Sequence, residues 1–125
     1  MNERVVIADD DPDIRELVRI SAVRAGLEVV AELGDGDTAL AAIRALVPDL
    51  AILDVSMPGL SGVEVCELVR ADGELSEVRI LLLSAAVGMA SRELGFAAGA
   101  VDYLSKPFSP RELAASLTTH MRGTK

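Results

Sequence analysis

Five short apolar runs, each separated from the next by a single segment of helical periodicity, leave this chain few ways to fold. The runs are Arg4–Ala8, Glu28–Glu32, Leu50–Leu53, Ile80–Leu83 and Val101–Leu104, and each has the length of a strand. Between the first two, Ile14, Leu17, Val18, Ser21, Ala22 and Ala25 recur at helical spacing, and Gly26 is placed to end the helix. Asp11 stands where an N-cap acceptor belongs, ahead of a proline at the first helical position, where a missing N–H costs nothing. The last helix opens in the same way. Ser109-Pro110-Arg111-Glu112 reads as a capping box, and Leu113, Leu117 and Met121 follow as its buried stripe.

Strands that alternate with single helices require crossover connections, hence a parallel sheet with helices on both faces. Runs one, three and four are almost wholly apolar and suit strands buried on both sides. Run two is bracketed by Glu28 and Glu32, and run five contains Asp102, so these two belong at the edges. The order 2-1-3-4-5 satisfies this pattern. Its topological switch point falls between strands one and three, and ligands of doubly wound folds bind at the carboxyl ends of those strands.

Composition narrows the class. A chain of 125 residues fits one domain, here taken as residues 1–125, with no internal repeat, linker or low-complexity stretch. Half the residues are apolar but only 2% are aromatic, so the core is expected to be aliphatic. A net charge of −8 opposes direct nucleic-acid binding, which draws its strength from Lys and Arg. No apolar run approaches the roughly 20 residues of a membrane-spanning helix. The single cysteine, Cys66, cannot form an intrachain disulfide and is expected in the core. With no leader pattern at the amino terminus, a cytoplasmic location is expected.

The crevice at the switch point is acidic. Strand one ends in Asp9-Asp10-Asp11 and strand three ends in Asp54. Carboxylates this close repel one another unless a cation or proton compensates them. Capping accounts for Asp11, and a charged loop is commonly just solvated, but neither explains Asp9, Asp10 and Asp54 together. Converging hard oxygen ligands suit Mg²⁺ (or Mn²⁺), which takes one or two carboxylates, waters and a phosphate oxygen. There is no Gly-x-Gly-x-x-Gly, and an Asp triplet after strand one repels a nucleotide phosphate. Ser84 and Lys106 follow strands four and five at the same edge. Each alone is an ordinary surface residue; beside a carboxylate cluster, a hydroxyl and an ammonium fit the oxygens of a transferring phosphoryl group.

With these residues assembled, the sequence resembles the CheY-like receiver domain of two-component response regulators, from about Val5 to Met121. The resemblance rests on Val5-Val6-Ile7-Ala8-Asp9-Asp10-Asp11-Pro12, Leu53-Asp54-Val55-Ser56-Met57-Pro58-Gly59, Ser84-Ala85 and Tyr103-Leu104-Ser105-Lys106-Pro107-Phe108. It implies a flavodoxin-like three-layer sandwich. It further implies that Asp54 is the phosphoacceptor, that Asp10 binds Mg²⁺ directly and Asp9 mainly through water, and that the Ser56 carbonyl is the third protein ligand. Ser84 and Lys106 would contact the phosphoryl oxygens, and the Lys106–Pro107 bond would be cis. The donor would be a sensor histidine kinase or a histidine phosphotransfer protein. Phosphorylation would draw Ser84 toward the phosphate and turn Tyr103 inward, reshaping the surface of the fourth helix, fifth strand and fifth helix. That surface would meet a downstream effector, a fused output domain or a second copy in a homodimer. The side chains of Ser56 and Ala86, small at positions that tune phosphate lifetime, suggest slow self-dephosphorylation.

Two rivals are weighed against this reading. A phosphatase of haloacid-dehalogenase type also forms an aspartyl phosphate, but it needs a second acid two residues after the nucleophile, where this chain has Ser56. A non-phosphorylated interaction module would leave the set Asp9, Asp10, Asp54, Ser84 and Lys106 without a purpose. The lone His120, near the end of the last helix, suits a contact with the helix dipole better than phosphotransfer.

Overall fold

The structure is a computed structural model, described for residues 2–85 and 89–121. Elements alternate along the chain as β1 (Arg4–Ala8), α1 (Pro12–Arg24), β2 (Glu28–Leu33), α2 (Gly36–Leu46), β3 (Leu50–Asp54), α3 (Gly62–Ala71), β4 (Arg79–Ser84), α4 (Met89–Ala97), β5 (Asp102–Ser105) and α5 (Pro110–His120), with a short 3₁₀ turn at Gly73–Leu75. All strands pair in parallel, in the order β2-β1-β3-β4-β5, as the polarity of the runs requires. The central strands are buried along almost their whole length, whereas β2 exposes both Glu28 and Glu32.

Strand side chains alternate between the faces and divide the core in two. Val5, Ile7, Leu50, Ile52, Leu81 and Leu83 face Val18 and Ala22 of α1 and Leu113 and Leu117 of α5. Val6, Ala8, Ala51, Leu53, Ile80 and Leu82 pack with Ile43 of α2, Val65, Cys66 and Val69 of α3, and Tyr103. Cys66 is fully buried, its Sγ 3.3 Å from the Ala98 carbonyl, and burial pushes its thiol pKa up to about 11.

The ends of the helices follow local chemistry. Asp11 caps α1 by accepting from the Asp13 amide at 2.9 Å. Gly26, at φ 95°, closes α1 with two backbone bonds, Gly26 N–H to the Val23 carbonyl and Leu27 N–H to the Ala22 carbonyl. Ser109 and Glu112 form the expected capping box on α5, and Ser61 with Glu64 forms a second one on α3.

Several boundaries differ from the sequence expectation: β3 runs one residue further, to Asp54, and β4 gains Arg79 and Ser84 at its ends. β5 starts and ends one residue later: its registered pairing begins with Asp102 opposite Leu81, although the Val101 amide already donates to the Ile80 carbonyl at 2.8 Å. β2 extends to Leu33, and a register shift opposite Val5 and Val6 sets Val30 outside the pairing with β1. Met121 lies just past α5 with extended backbone, though it still packs against the α1/α5 core.

Candidate functional site

β1 and β3 run side by side, Ala8 opposite Leu53, so the residues that follow them meet at one edge of the sheet. Asp9 leaves β1 fully buried, and Asp10 is exposed at the mouth of the crevice. Asp54 is the last residue of β3 and only 3% exposed. Carboxylate oxygens of Asp9, Asp10 and Asp54 lie within 4.8 Å of one another.

Lys106 reaches this cluster from the loop after β5. Its Nζ stands 3.0 Å from Asp9 Oδ2 and 3.3 Å from Asp54 Oδ2. The loop is tied down by a hydrogen bond from the Lys106 amide to the Ser84 carbonyl at 2.6 Å, and the Lys106–Pro107 peptide is cis. Burial works against the charge on Lys106, but its hydrogen bond to Asp9 and the charges of Asp54 and Asp9 prevail and raise its pKa above the usual lysine value. Asp54 behaves oppositely. Burial, and then the negative charge of Asp9, push its carboxyl up to about 6 despite the pull of Lys106 and the Ser56 amide.

Backbone groups complete the frame. The Ser56 amide donates to Asp54 Oδ1 at 3.3 Å, which brings the Ser56 peptide to the Asp54 carboxylate. The Asp11 amide donates to Asp9 Oδ1 at 2.9 Å. Gly62, at the start of α3, sits directly against the Asp54 carbonyl; a Cβ there would lie 2.4 Å from that oxygen. Glycine is what permits α3 to begin so close to the site.

Ser84, buried at the end of β4, lines a cavity of about 80 Å³ with Val55, Val63, Ser91, Leu94 and Tyr103. The Tyr103 ring is turned inward and 2% exposed. Ala86 lies outside the described residues. The sequence-derived set Asp9, Asp10, Asp54, Ser56, Ser84 and Lys106 is thus gathered at one edge of the sheet. His120 is at the opposite edge, its Nε2 3.2 Å from Asp102 Oδ2, far along α5 from the acidic cluster.

The sequence reading missed two positioning groups. Arg15 donates to the Asp9 carbonyl at 2.6 Å and so fixes the turn that carries the acidic residues, but an arginine in the first turns of a helix carries no distinctive signal. Ser61-Gly62-Val63-Glu64, by contrast, has a legible capping box that places the start of α3 under Asp54.

Three carboxylates face one ammonium here, a formal balance of −2 when all are ionised. The donor set is all oxygen, and the negative charge of Asp9 adds to burial in raising the Asp54 pKa. Both features fit a hard divalent cation.

A family model described as the response regulator receiver domain matches residues 5–118. The DNA-binding response regulator MtrA of Mycolicibacterium smegmatis is 41% identical over 122 residues, 98% of this chain and 52% of that protein. The chain spans about half the length of the curated relatives it matches. Among solved structures, the chemotaxis response regulator CheY4 of Vibrio cholerae is 32% identical with a TM-score of 0.88, covering 97% of this chain and all of that one. The signal receiver domain of NarL from Mycobacterium tuberculosis is 37% identical with a TM-score of 0.86, covering 94% of each chain.

Proposed function

The chain belongs to the response regulator receiver domain family, and on that premise we propose that Asp54 accepts a phosphoryl group from a phosphohistidine, with a divalent cation held by Asp9, Asp10 and Asp54. As a receiver domain it is a signalling switch of a two-component system. The observation that carries the assignment of Asp54 is its place at the carboxyl end of β3, nearly buried, with Lys106 at 3.3 Å and two further carboxylates converging on it.

In the proposed reaction a carboxylate oxygen of Asp54 attacks phosphorus, the P–N bond of the donor breaks, and the imidazole leaves with the bonding pair, giving an acyl phosphate. Lys106 provides a fixed positive charge for the arriving oxygens, and Ser84 offers a hydroxyl on the other side. Mg²⁺ (or Mn²⁺), held with the help of the Ser56 carbonyl, would neutralise charge between the carboxylates and the phosphoryl group. Backbone amides from Ser56 and Asp11 orient the two buried carboxylates, so the site is organised before a donor arrives.

The donor is a sensor histidine kinase or a histidine phosphotransfer protein, and the protein acts in the cytoplasm. Among the described residues no helix is long and apolar enough to cross a membrane. The output passes to an effector protein, a fused domain or a second copy through the face of α4, β5 and α5. Self-dephosphorylation is slow, since Ser56 offers only a small hydroxyl near the acceptor to orient water.

The test is incubation with Mg²⁺ and acetyl phosphate followed by intact mass. A single phosphoryl adduct is expected on the wild type and none on Asp54→Asn. An unmodified wild type, or an adduct that survives Asp54→Asn, would refute the assignment.

A further inference from the structure

The Tyr103 ring is only 2% exposed and lies against α4. Two residues of α4 shape its seat. Gly95 lies in the interior of the helix, where glycine is unfavourable relative to alanine and so needs a packing reason. That reason is the ring: a Cβ on Gly95 would fall 2.9 Å from Tyr103 Cδ2, 3.1 Å from Leu82 Cδ1 and 3.4 Å from Tyr103 Cε2. One turn earlier, Arg92 carries its guanidinium 5.5 Å from the centroid of the Tyr103 ring and 5.7 Å from that of Phe96. The same side chain donates to the Tyr103 carbonyl at 3.2 Å.

We propose that Gly95 and Arg92 are positioning residues that seat the Tyr103 ring inward, Gly95 by leaving the space and Arg92 by closing over it. α4 then sets the position of this ring through these two contacts. The ring borders the cavity that Ser84 also lines, so its position is adjacent to the phosphoryl-facing hydroxyl. In treating the ring as part of the switch, the inference rests on the reading of Asp54 as acceptor.

Tyr103 is the only tyrosine and the chain has no tryptophan, so its fluorescence reports on this one ring. The experiment is acrylamide quenching of the unphosphorylated protein, with far-UV circular dichroism to verify the fold of each variant. In the wild type the quenching constant should be several-fold below that of N-acetyltyrosinamide. Gly95→Ala should raise it at least twofold. Arg92→Ala should raise it by a smaller factor, and Arg92→Lys, which keeps a cation over the ring, should restore most of the protection. Ala97→Gly, on the exposed side of the same helix, should leave it unchanged.

Wild-type quenching in Gly95→Ala, or an equal rise in Ala97→Gly, would overturn the proposal. Should Gly95→Ala fail to fold, Arg92→Ala with unaltered quenching would overturn it as well. No phosphodonor is used, so a failure here is separate from a failure of Asp54 to form an adduct.

Discussion

At the scale of residues, the acidic crevice is a compromise between order and repulsion. Asp9 is held by the Asp11 amide and by Lys106, yet Asp54 keeps a raised pKa because burial, and then the charge of Asp9, outweigh the pull of Lys106. A cation that binds only the folded chain stabilises it by mass action, about 2.7 kcal/mol at 100-fold excess over Kd. Melting with and without Mg²⁺ should therefore show a rise of that order. Asp10 is exposed, so Asp10→Asn should change the metal-free stability by no more than about 0.5 kcal/mol while removing most of the Mg²⁺ increment. An undiminished increment in Asp10→Asn would show that the ion does not use this carboxylate. Asp9, Asp10 and Asp54 were legible in the sequence because topology alone brings the ends of strands one and three together. What stayed hidden is how Lys106 divides itself: its Nζ is nearer Asp9 than Asp54, a matter of loop geometry that no spacing encodes.

At the scale of elements, two joints invite measurement. α2 ends on Val47, a β-branched residue in the left-handed region at φ 44° and about half exposed. The end is held by Arg4, whose guanidinium donates to the Leu46 carbonyl at 2.7 Å. A left-handed conformation costs an L-residue roughly 1–2 kcal/mol, and asparagine tolerates it better. Val47→Asn should raise stability by about 0.5–1 kcal/mol in chemical denaturation, and a loss would show that side-chain packing outweighs the backbone strain. The second joint ties β5 to α5. Asp102 accepts from the Ser116 hydroxyl at 2.6 Å and the Tyr103 amide at 2.8 Å, and pairs with His120. Burial opposes its charge, but these partners prevail and lower its pKa below 3.8. A depressed carboxyl pKa contributes stability that is fully present above the unfolded value and is lost as pH falls through the folded one. Asp102→Asn should thus cost about 1–2 kcal/mol at neutral pH, and its deficit should shrink below pH 4. A deficit independent of pH would assign the loss to packing. The sequence marked Asp102 only as a sign of an edge strand. Its side-chain partners, Ser116 and His120, lie on a helix that begins eight residues downstream, and that contact follows from how α5 returns across the sheet rather than from local pattern.

At the scale of the whole molecule, one sheet serves two cores. Ile52 points toward α1 and α5, and Leu53, its neighbour on β3, points toward α2 and α3. Each layer of helices packs mainly on the central strands β1, β3 and β4, so neither core can persist once those strands separate. The hydrophobic runs foretold this, because strands apolar at every position need cover on both faces. The consequence is cooperativity: the chain should unfold in one transition, with circular dichroism and calorimetry giving the same midpoint. Ile52→Ala and Leu53→Ala remove fully buried side chains from opposite layers, and each should cost about 2–5 kcal/mol. Both variants should lower the midpoint of that same single transition. If one of them instead split the melt into two steps, the layers would be separable units and the reading of residues 1–125 as one domain would fall.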